Sequence, residues 1–394
     1  MNADLICVHL RKSAARRDTQ RLGRELYSGY SMPDRETLFI TGFPGFIANR
    51  LLERLACKDC AREAGFILLV QPSLRTRATE EIARIAQLKG RSAADFQIVE
   101  GDITDPGLAL KSTDLELVQQ QTTRVFHLAA IYDLAVPRDL ALRVNPGGTR
   151  NVLELALSMP HLRQFHHVST CYVAGRREGV ILESELRHDA GYRNFYEESK
   201  YLAELEVEAT KSDLPITIHR PAVVCGDSHT GETSKYDGVY YLILYLLRWP
   251  SGLSLINIGN REVSLNLVPV DFVVNAMAAL AFDEKAVGKT LQLADPSPLT
   301  TEDLFNAIAK SIDDRHSRVT APAPVVYRFL MLPPAPRITG LPHHAVPYFF
   351  VKQLYDSTQA QQLLAPHGIK CPPFESYVDR IVDFVRQHPV ISGG

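Results

Sequence analysis

From Thr37 onward the chain alternates short β-branched or apolar runs with stretches of helical periodicity, and this alternation restricts the fold more than any other feature. Residues 38–41, 66–70, 96–99, 125–128, 165–168, 216–219 and 291–293 predict strands buried on both faces. Helices are expected between them near 46–61, 79–88, 145–157, 195–210 and 271–282. Successive βαβ units predict an α/β fold, a doubly wound parallel sheet of the Rossmann type.

Two segments break the rhythm, 226–266 and 315 to the C-terminus. The second carries Pro322, Pro324, Pro333, Pro334, Pro336, Pro342 and Pro347, which block long regular elements before a last helix near 374–387. Ligands of doubly wound folds sit at the carboxyl ends of the strands, where late irregular insertions build a substrate lobe. The expected organisation is a Rossmann domain of 34–225 plus 267–296 and a smaller C-terminal substrate-binding lobe of 226–266 and 297–394. Residues 1–33 hold six basic side chains against three acidic ones and no apolar stretch long enough for a signal sequence. They read as a flexible extension. A mis-assigned start near Met32 and a basic helix docking on a partner or membrane surface are the other readings.

Composition excludes several functions. Lys+Arg 43 against Asp+Glu 45 leaves a net charge of -2, so the chain is not built around a polyanion, and no nucleic-acid partner is expected. With 45% hydrophobic residues a large core forms and disorder is excluded. The longest apolar run, 239–247, is about half a membrane span. It reads as a buried helix or lid, and no transmembrane segment is expected. Six cysteines are scattered without a leader, which points to reduced thiols in the cytoplasm. Cys57 and Cys60 form the single CxxC pair, inside a stretch that reads as helix and without a second pair at zinc-site spacing. Thirteen histidines offer no HExxH and no facial triad, so no metal is expected; His166 and His167 straddle the two faces of one strand.

The first strand runs directly into Thr41-Gly42-Phe43-Pro44-Gly45-Phe46-Ile47-Ala48 and a helix follows. Gly42 permits the tight turn, Gly45 lets the backbone approach a pyrophosphate, and Ala48 is small enough for helix packing, so a dinucleotide is expected here. An NAD site places a carboxylate at the end of the second strand, where this chain has Gln71-Pro72-Ser73-Leu74-Arg75-Thr76-Arg77. Arg75 or Arg77 would suit a 2′-phosphate, which favours NADPH; both guanidiniums as solvated helix-start residues is the alternative.

Tyr196 and Lys200 stand at i and i+4 on a predicted helix and share a face. An ammonium beside a phenol favours phenolate, so Tyr196 is expected to exchange a proton with a carbonyl or alkoxide oxygen near neutral pH. Upstream, a strand delivers His167-Val168-Ser169-Thr170-Cys171-Tyr172 to the same end of the sheet, where a hydroxyl would hold the substrate oxygen. Asp133, after Tyr132 in the loop beyond the fourth strand, is a substrate contact or, more simply, a cap.

These elements resemble the extended short-chain dehydrogenase/reductases over 37–310. The matches are the TGxxGF loop, Gly101-Asp102, His127-Leu128-Ala129-Ala130, Val144-Asn145 with Gly148-Thr149, the strand-end hydroxyl, YxxxK and Arg220-Pro221. The resemblance implies Tyr196 as proton donor, Lys200 as the group that tunes it and binds the nicotinamide ribose, and Thr170 as the catalytic hydroxyl, with Ser169 its rival. It implies Gly42, Pro44, Gly45, Phe46 and Ile47 at the pyrophosphate, Asp102 and Ile103 at the adenine, Leu128, Ala129 and Ala130 along the cofactor, Pro221, Ala222 and Val223 at the nicotinamide, and Asn145 in support.

The run Arg220-Pro221-Ala222-Val223-Val224-Cys225-Gly226-Asp227-Ser228-His229-Thr230-Gly231 is similar to the RPxxxxGDSxTG signature of thioester reductases, the branch related to fatty acyl-CoA reductases. That branch implies NADPH-dependent reduction of an acyl thioester, acyl-CoA or a separate acyl-carrier protein, to an aldehyde and possibly on to the alcohol. Unlike multidomain members, this chain shows no adenylation module and no phosphopantetheine attachment serine. The apolar run 239–247, Trp249 and 325–332 would form an acyl pocket, or simply pack a core. The competing readings are an NADP-dependent reductase or dehydrogenase of a steroid-like or flavonoid-like ketone or secondary alcohol, and a non-catalytic nucleotide sensor. Either a monomer or a homodimer is expected.

Overall fold

The computed structural model describes residues 35–57, 63–248, 256–314, 317 and 319–391. Seven strands form the central sheet: β1 (Thr37–Thr41), β2 (Gly65–Val70), β3 (Phe96–Glu100), β4 (Arg124–His127), β5 (Gln164–Val168), β6 (Ile216–Pro221) and β7 (Thr290–Leu293). All neighbours are parallel, in the order β3-β2-β1-β4-β5-β6-β7. The α/β doubly wound fold expected from the sequence is the fold observed.

Alternation along the strands explains why the sheet is covered on both sides. Leu38 and Ile40 of β1, with Phe66, Leu68 and Val70 of β2, enter one core; Phe39, Ile67 and Leu69 enter the other. The first core is closed by α1 (Phe46–Leu55), α2 (Arg75–Lys89) and α7 (Val270–Leu280), the second by α3 (Ser112–Gln121), α4 (Gly148–Ala156) and α5 (Phe195–Thr210). Leu51, Leu52 and Leu55 of α1 are wholly buried, each contributing about 1.5–3 kcal/mol of transfer free energy. A separate apolar core joins α6 (Val239–Arg248), α8 (Thr301–Asp313) and α11 (Val378–Gln387). Between α8 and α11 lie α9 (Ala323–Leu330) and α10 (Thr358–Leu364), both short, as the prolines require.

Some boundaries differ from expectation. Helix α1 stops at Leu55 instead of 61, because the chain must turn back to enter β2 at Gly65; Cys57 therefore lies beyond the helix, and Cys60 falls outside the described residues. Helix α4 begins at Gly148, after a π-helical turn at Arg143–Gly147 that accommodates Pro146. Helices α3 and α8 are additional to those expected. In α3 only Val118 is fully buried, so its periodicity is faint. In α8 the start signal is a cap: Thr300 accepts from the Asp303 N–H, and Glu302 and Asp303 occupy the first turn. Residues 1–33 and Trp249 lie outside the described residues.

Candidate active site

In the sheet order, β1 sits between β2 and β4, so the connections leaving β1 and β4 diverge and open a crevice at their carboxyl ends. A cleft of about 650 Å³ occupies this switch point.

The glycine loop forms its floor. Gly42 has φ +88°, and a Cβ there would lie 2.7 Å from the Ala129 backbone nitrogen. Only glycine meets both demands at low cost. The Gly45 N–H bonds the Gly42 carbonyl at 2.8 Å, and Gly45 is the N-cap of α1 without a side-chain cap. The helix thus presents its first N–H groups to the crevice. Behind the loop, His127 bridges Thr41 Oγ1 at 2.9 Å and Thr149 Oγ1 at 3.0 Å, and Thr41 Oγ1 accepts from the Ala129 N–H at 3.1 Å. This network fixes β1 and the Leu128-Ala129-Ala130 segment at one spacing.

At the far end, Asp102 accepts from Gln71 Nε2 at 3.0 Å and from the Thr104 N–H at 2.8 Å. Burial pushes its carboxyl up, but these bonds and nearby Arg143 outweigh it and hold the group below its ordinary value. Arg75 and Arg77 occupy the first turn of α2; Arg75 is ion-paired to Glu100 at 2.8 Å, and neither lines the cleft. Pro44 is likewise absent from the lining, whereas Gly42, Gly45, Phe46, Ile47, Asp102, Ile103, Leu128, Ala129, Ala130, Pro221, Ala222 and Val223 all belong to it.

At the other end the cleft is walled by Thr170, Tyr196 and Lys200. Asn194 caps α5 through the Glu197 N–H, which sets the register that turns Tyr196 and Lys200 inward. The Thr170 side chain stands beside the Tyr196 hydroxyl, close enough to favour its ionised form. Ser169, the rival hydroxyl, instead donates to Glu204, and Glu204 holds the buried Arg220 with 2.9 Å to Nε. Asn145 stands one layer back: its amide donates to Ser199 Oγ at 2.8 Å, and its oxygen accepts from the Ile131 N–H at 2.9 Å.

One electrostatic expectation is corrected. The Tyr196 hydroxyl is not lowered as expected: burial raises it above its ordinary value, opposed by Thr170 and reinforced by Glu197 and Asp237. The Lys200 ammonium donates to the Val168 carbonyl at 2.9 Å, and burial presses it down to about 8, opposed by Glu204.

Residues that sequence reasoning did not assign complete the rim. Tyr132 packs edge-on to Tyr196 at 5.2 Å between centroids, Lys235 lies 5.2 Å over the Tyr132 ring, and Asp237 lines the cleft beside them. Burial raises the Asp237 carboxyl. Asp133 caps a turn, accepting from the Ala135 N–H at 2.8 Å. Two small cavities continue from this rim: one shares Tyr132, Tyr172, Val223, Lys235 and Asp237 with the cleft, and the next shares Tyr241 and Phe349 with it. Helix α6 buries Tyr240, Ile243 and Leu246 in a core and turns Tyr241 and Tyr245 to these cavities. Of the stretch 325–332, only Leu330 contributes to them.

Fold, glycine cradle and inward Tyr196–Lys200 pair define an extended short-chain dehydrogenase/reductase with a nicotinamide-dinucleotide site. Residues 40–277 match the male sterility protein family, and the chain belongs to that family. It is 25% identical over 284 residues to "Fatty acyl-CoA reductase wat" of Drosophila melanogaster, covering 62% of this chain and 54% of that protein. With "Glycine betaine reductase ATRR" of Emericella nidulans it shares 27% over 294 residues, covering 70% of this chain and 22% of the relative. The chain therefore spans about half the length, or much less, of these curated relatives. The terminal R domain from the myxalamid PKS-NRPS biosynthetic pathway superposes with a TM-score of 0.74 at 22% identity, covering 95% and 98% of the two chains, which establishes the fold. No helix among the described residues is long and apolar enough to cross a membrane.

Proposed function

We propose that this protein reduces an acyl thioester, acyl-CoA or carrier-bound, to an aldehyde, with NADPH as the donor. The observation that carries the reading is the convergence of Thr170, Tyr196 and Lys200 on one wall of the cleft, at the junction between a dinucleotide cradle and a line of cavities that turns apolar at Tyr241, Leu242, Ile258 and Leu330. The names of the fatty acyl-CoA reductase relatives support the substrate class.

The residues present fit the cofactor, because Gly42 and Gly45, where a Cβ would collide with the Ala129 nitrogen and the Gly42 carbonyl, keep the loop tight and leave the first N–H groups of α1 open to the cleft. Gly42, Gly45, Phe46 and Ile47 would hold its pyrophosphate, Asp102 and Ile103 its adenine end, and Pro221 to Val223 with Lys200 its nicotinamide end. When bound, the cofactor supplies the hydride. Thr170 and Tyr196 hold the thioester carbonyl oxygen and stabilise the charge that develops on it, and Tyr196 delivers the proton; the hemithioacetal so formed then breaks its C–S bond, and the hydroxyl proton leaves with the thiol. The Lys200 ammonium offsets the phenolate left behind, and Asn145 fixes the Ile131 backbone and Ser199 from behind.

NADPH is favoured over NADH because β2 ends on Gln71 with no carboxylate free for a ribose hydroxyl: Asp102 is engaged with Gln71 and Thr104. Arg75 and Arg77 would bind the 2′-phosphate, Arg75 exchanging Glu100 for it. The sheet domain is taken as 34–225 with 267–296, and the substrate lobe as 226–266 with 297–394; the separate core of α6, α8 and α11 supports that division.

The test is cofactor oxidation with acyl-CoA thioesters of graded length, NADPH and NADH in parallel, with free thiol followed. NADPH consumption matched by thiol and lost in Tyr196→Phe is expected. Turnover of ketones or secondary alcohols without thiol release would transfer the assignment to a carbonyl reductase. Cofactor binding with no turnover on either panel would reject an enzymatic role.

A further inference from the structure

The stretch 325–332, read from the sequence as pocket lining, faces the other way. Helix α9 buries Val326 and Leu330 against Leu341, Ala345 and Val346. On the adjoining side Val325 is 60% exposed and Phe329 follows at i+4, with Leu332 just beyond the helix end also exposed. Val319, Tyr327 and Met331 are exposed beside them. A helix apolar on both faces is normally covered on both, and a cluster of large exposed apolar groups marks an interaction surface.

The charge within the segment that forms this tip has one sign. From 315 to 355 the sequence contains no Asp or Glu and five Lys or Arg residues. Arg328 and Arg337 are exposed, and Arg248, at the end of α6, reaches to within 3.0 Å of where a Gly340 Cβ would stand. Among the described cations of this patch, only Lys352 pairs with a carboxylate, Glu262.

We propose that this apolar, cationic tip docks the protein on an anionic lipid bilayer, with Val325, Phe329 and Leu332 entering the headgroup region and Arg328 and Arg337 facing the phosphates. The chain's own residues 1–33 carry an excess of basic side chains and would be repelled. A second copy paired symmetrically would bring like guanidiniums together. An acidic protein would need a groove to receive a helix end and the turn at Pro333-Pro334, whereas lipid accepts a projection of any shape. Leu330, on the inner side of α9, lines an apolar cavity with Tyr241, Tyr245 and Phe350, so a docked molecule would hold that cavity beside the acyl layer. The docking itself does not rest on the catalytic assignment.

Vesicle co-sedimentation of the full chain tests it, using phosphatidylcholine with and without phosphatidylglycerol at low and high salt. Binding to the anionic vesicles only, weakened by salt, is expected. Phe329→Glu and Leu332→Glu should each lower the partition coefficient roughly ten-fold, and Arg328→Gln about five-fold. Leu88→Glu, at an exposed apolar residue of α2 in the sheet domain, should leave binding intact. Melting curves confirm that each variant folds. Equal partitioning of all variants, or none by the wild type, overturns the proposal. So does a dimer dispersed by Phe329→Glu, or saturable binding to an acidic acyl-carrier protein without vesicle binding.

Discussion

At the scale of single residues, the site is decided by which hydroxyl meets Tyr196. Ser169 and Thr170 are adjacent, and the extended backbone sends their side chains to opposite sides: Ser169 to Glu204, Thr170 to Tyr196. Tyr196→Phe should therefore lower kcat by 100-fold or more, on the order of the general-acid contribution, with cofactor affinity little changed in a fluorescence titration. Lys200 acts as a cation, and its buried ammonium titrates at about 8. Raising the pH through that value removes the charge that offsets phenolate, so kcat/KM should fall above about pH 8 and the limb should vanish in Lys200→Met. A limb unmoved by that substitution would sink the assignment. Removing Arg75 and Arg77 together should raise KM for NADPH about ten-fold and leave NADH unaffected, the loss expected for a charge-assisted bond.

At the scale of elements, α5 is the piece that carries both catalytic candidates, and its anchorage is polar. Glu204, wholly buried, receives Ser169 from β5 and Arg220 from β6. Glu204→Leu would strand a buried guanidinium, at a cost of about 3–5 kcal/mol. A large drop in melting temperature is the expected reading, and a small one would mean that water reaches Arg220. In the first turn of α5, Glu197 accepts from Tyr348 at 2.7 Å, which ties the late irregular chain to the catalytic helix. The short elements after α8 escaped sequence reasoning for a physical reason: with prolines spaced so closely, no helix there runs long enough to display a period.

At the scale of the whole molecule, the sheet interior holds His127, His166, His167 and His219, all buried. Burial presses His127 and His219 down to about 3, and His166 and His167 also well below the ordinary value. Unfolded, each titrates near 6.5. Above that pH neither state binds the proton and the histidines cost nothing; between about 6.5 and 3 the unfolded chain takes up protons that the fold refuses. His127 and His219 each remove about 1.4 kcal/mol of stability per pH unit across that window, and His166 and His167 act in the same direction. Thermal unfolding should thus shift steeply downward below pH 6.5, and His166→Phe, replacing a ring stacked on Phe126 and His219, should flatten the slope. A slope indifferent to that change would place the acid sensitivity elsewhere.

What the sequence by itself determined is local. The seven strands, the turn at Gly42, the α5 register and the Tyr196–Lys200 spacing follow from periodicity and glycine placement within a few residues of each other. What only the tertiary structure decided is long-range: Ser169 turned to Glu204, Lys200 bonded to Val168 instead of the phenol, Tyr132 brought against Lys235 and Asp237 from more than a hundred positions away, and α9 turned outward. Spacing along the chain encodes which face of an element is apolar. Which neighbour receives that face, or whether any does, depends on how the elements pack.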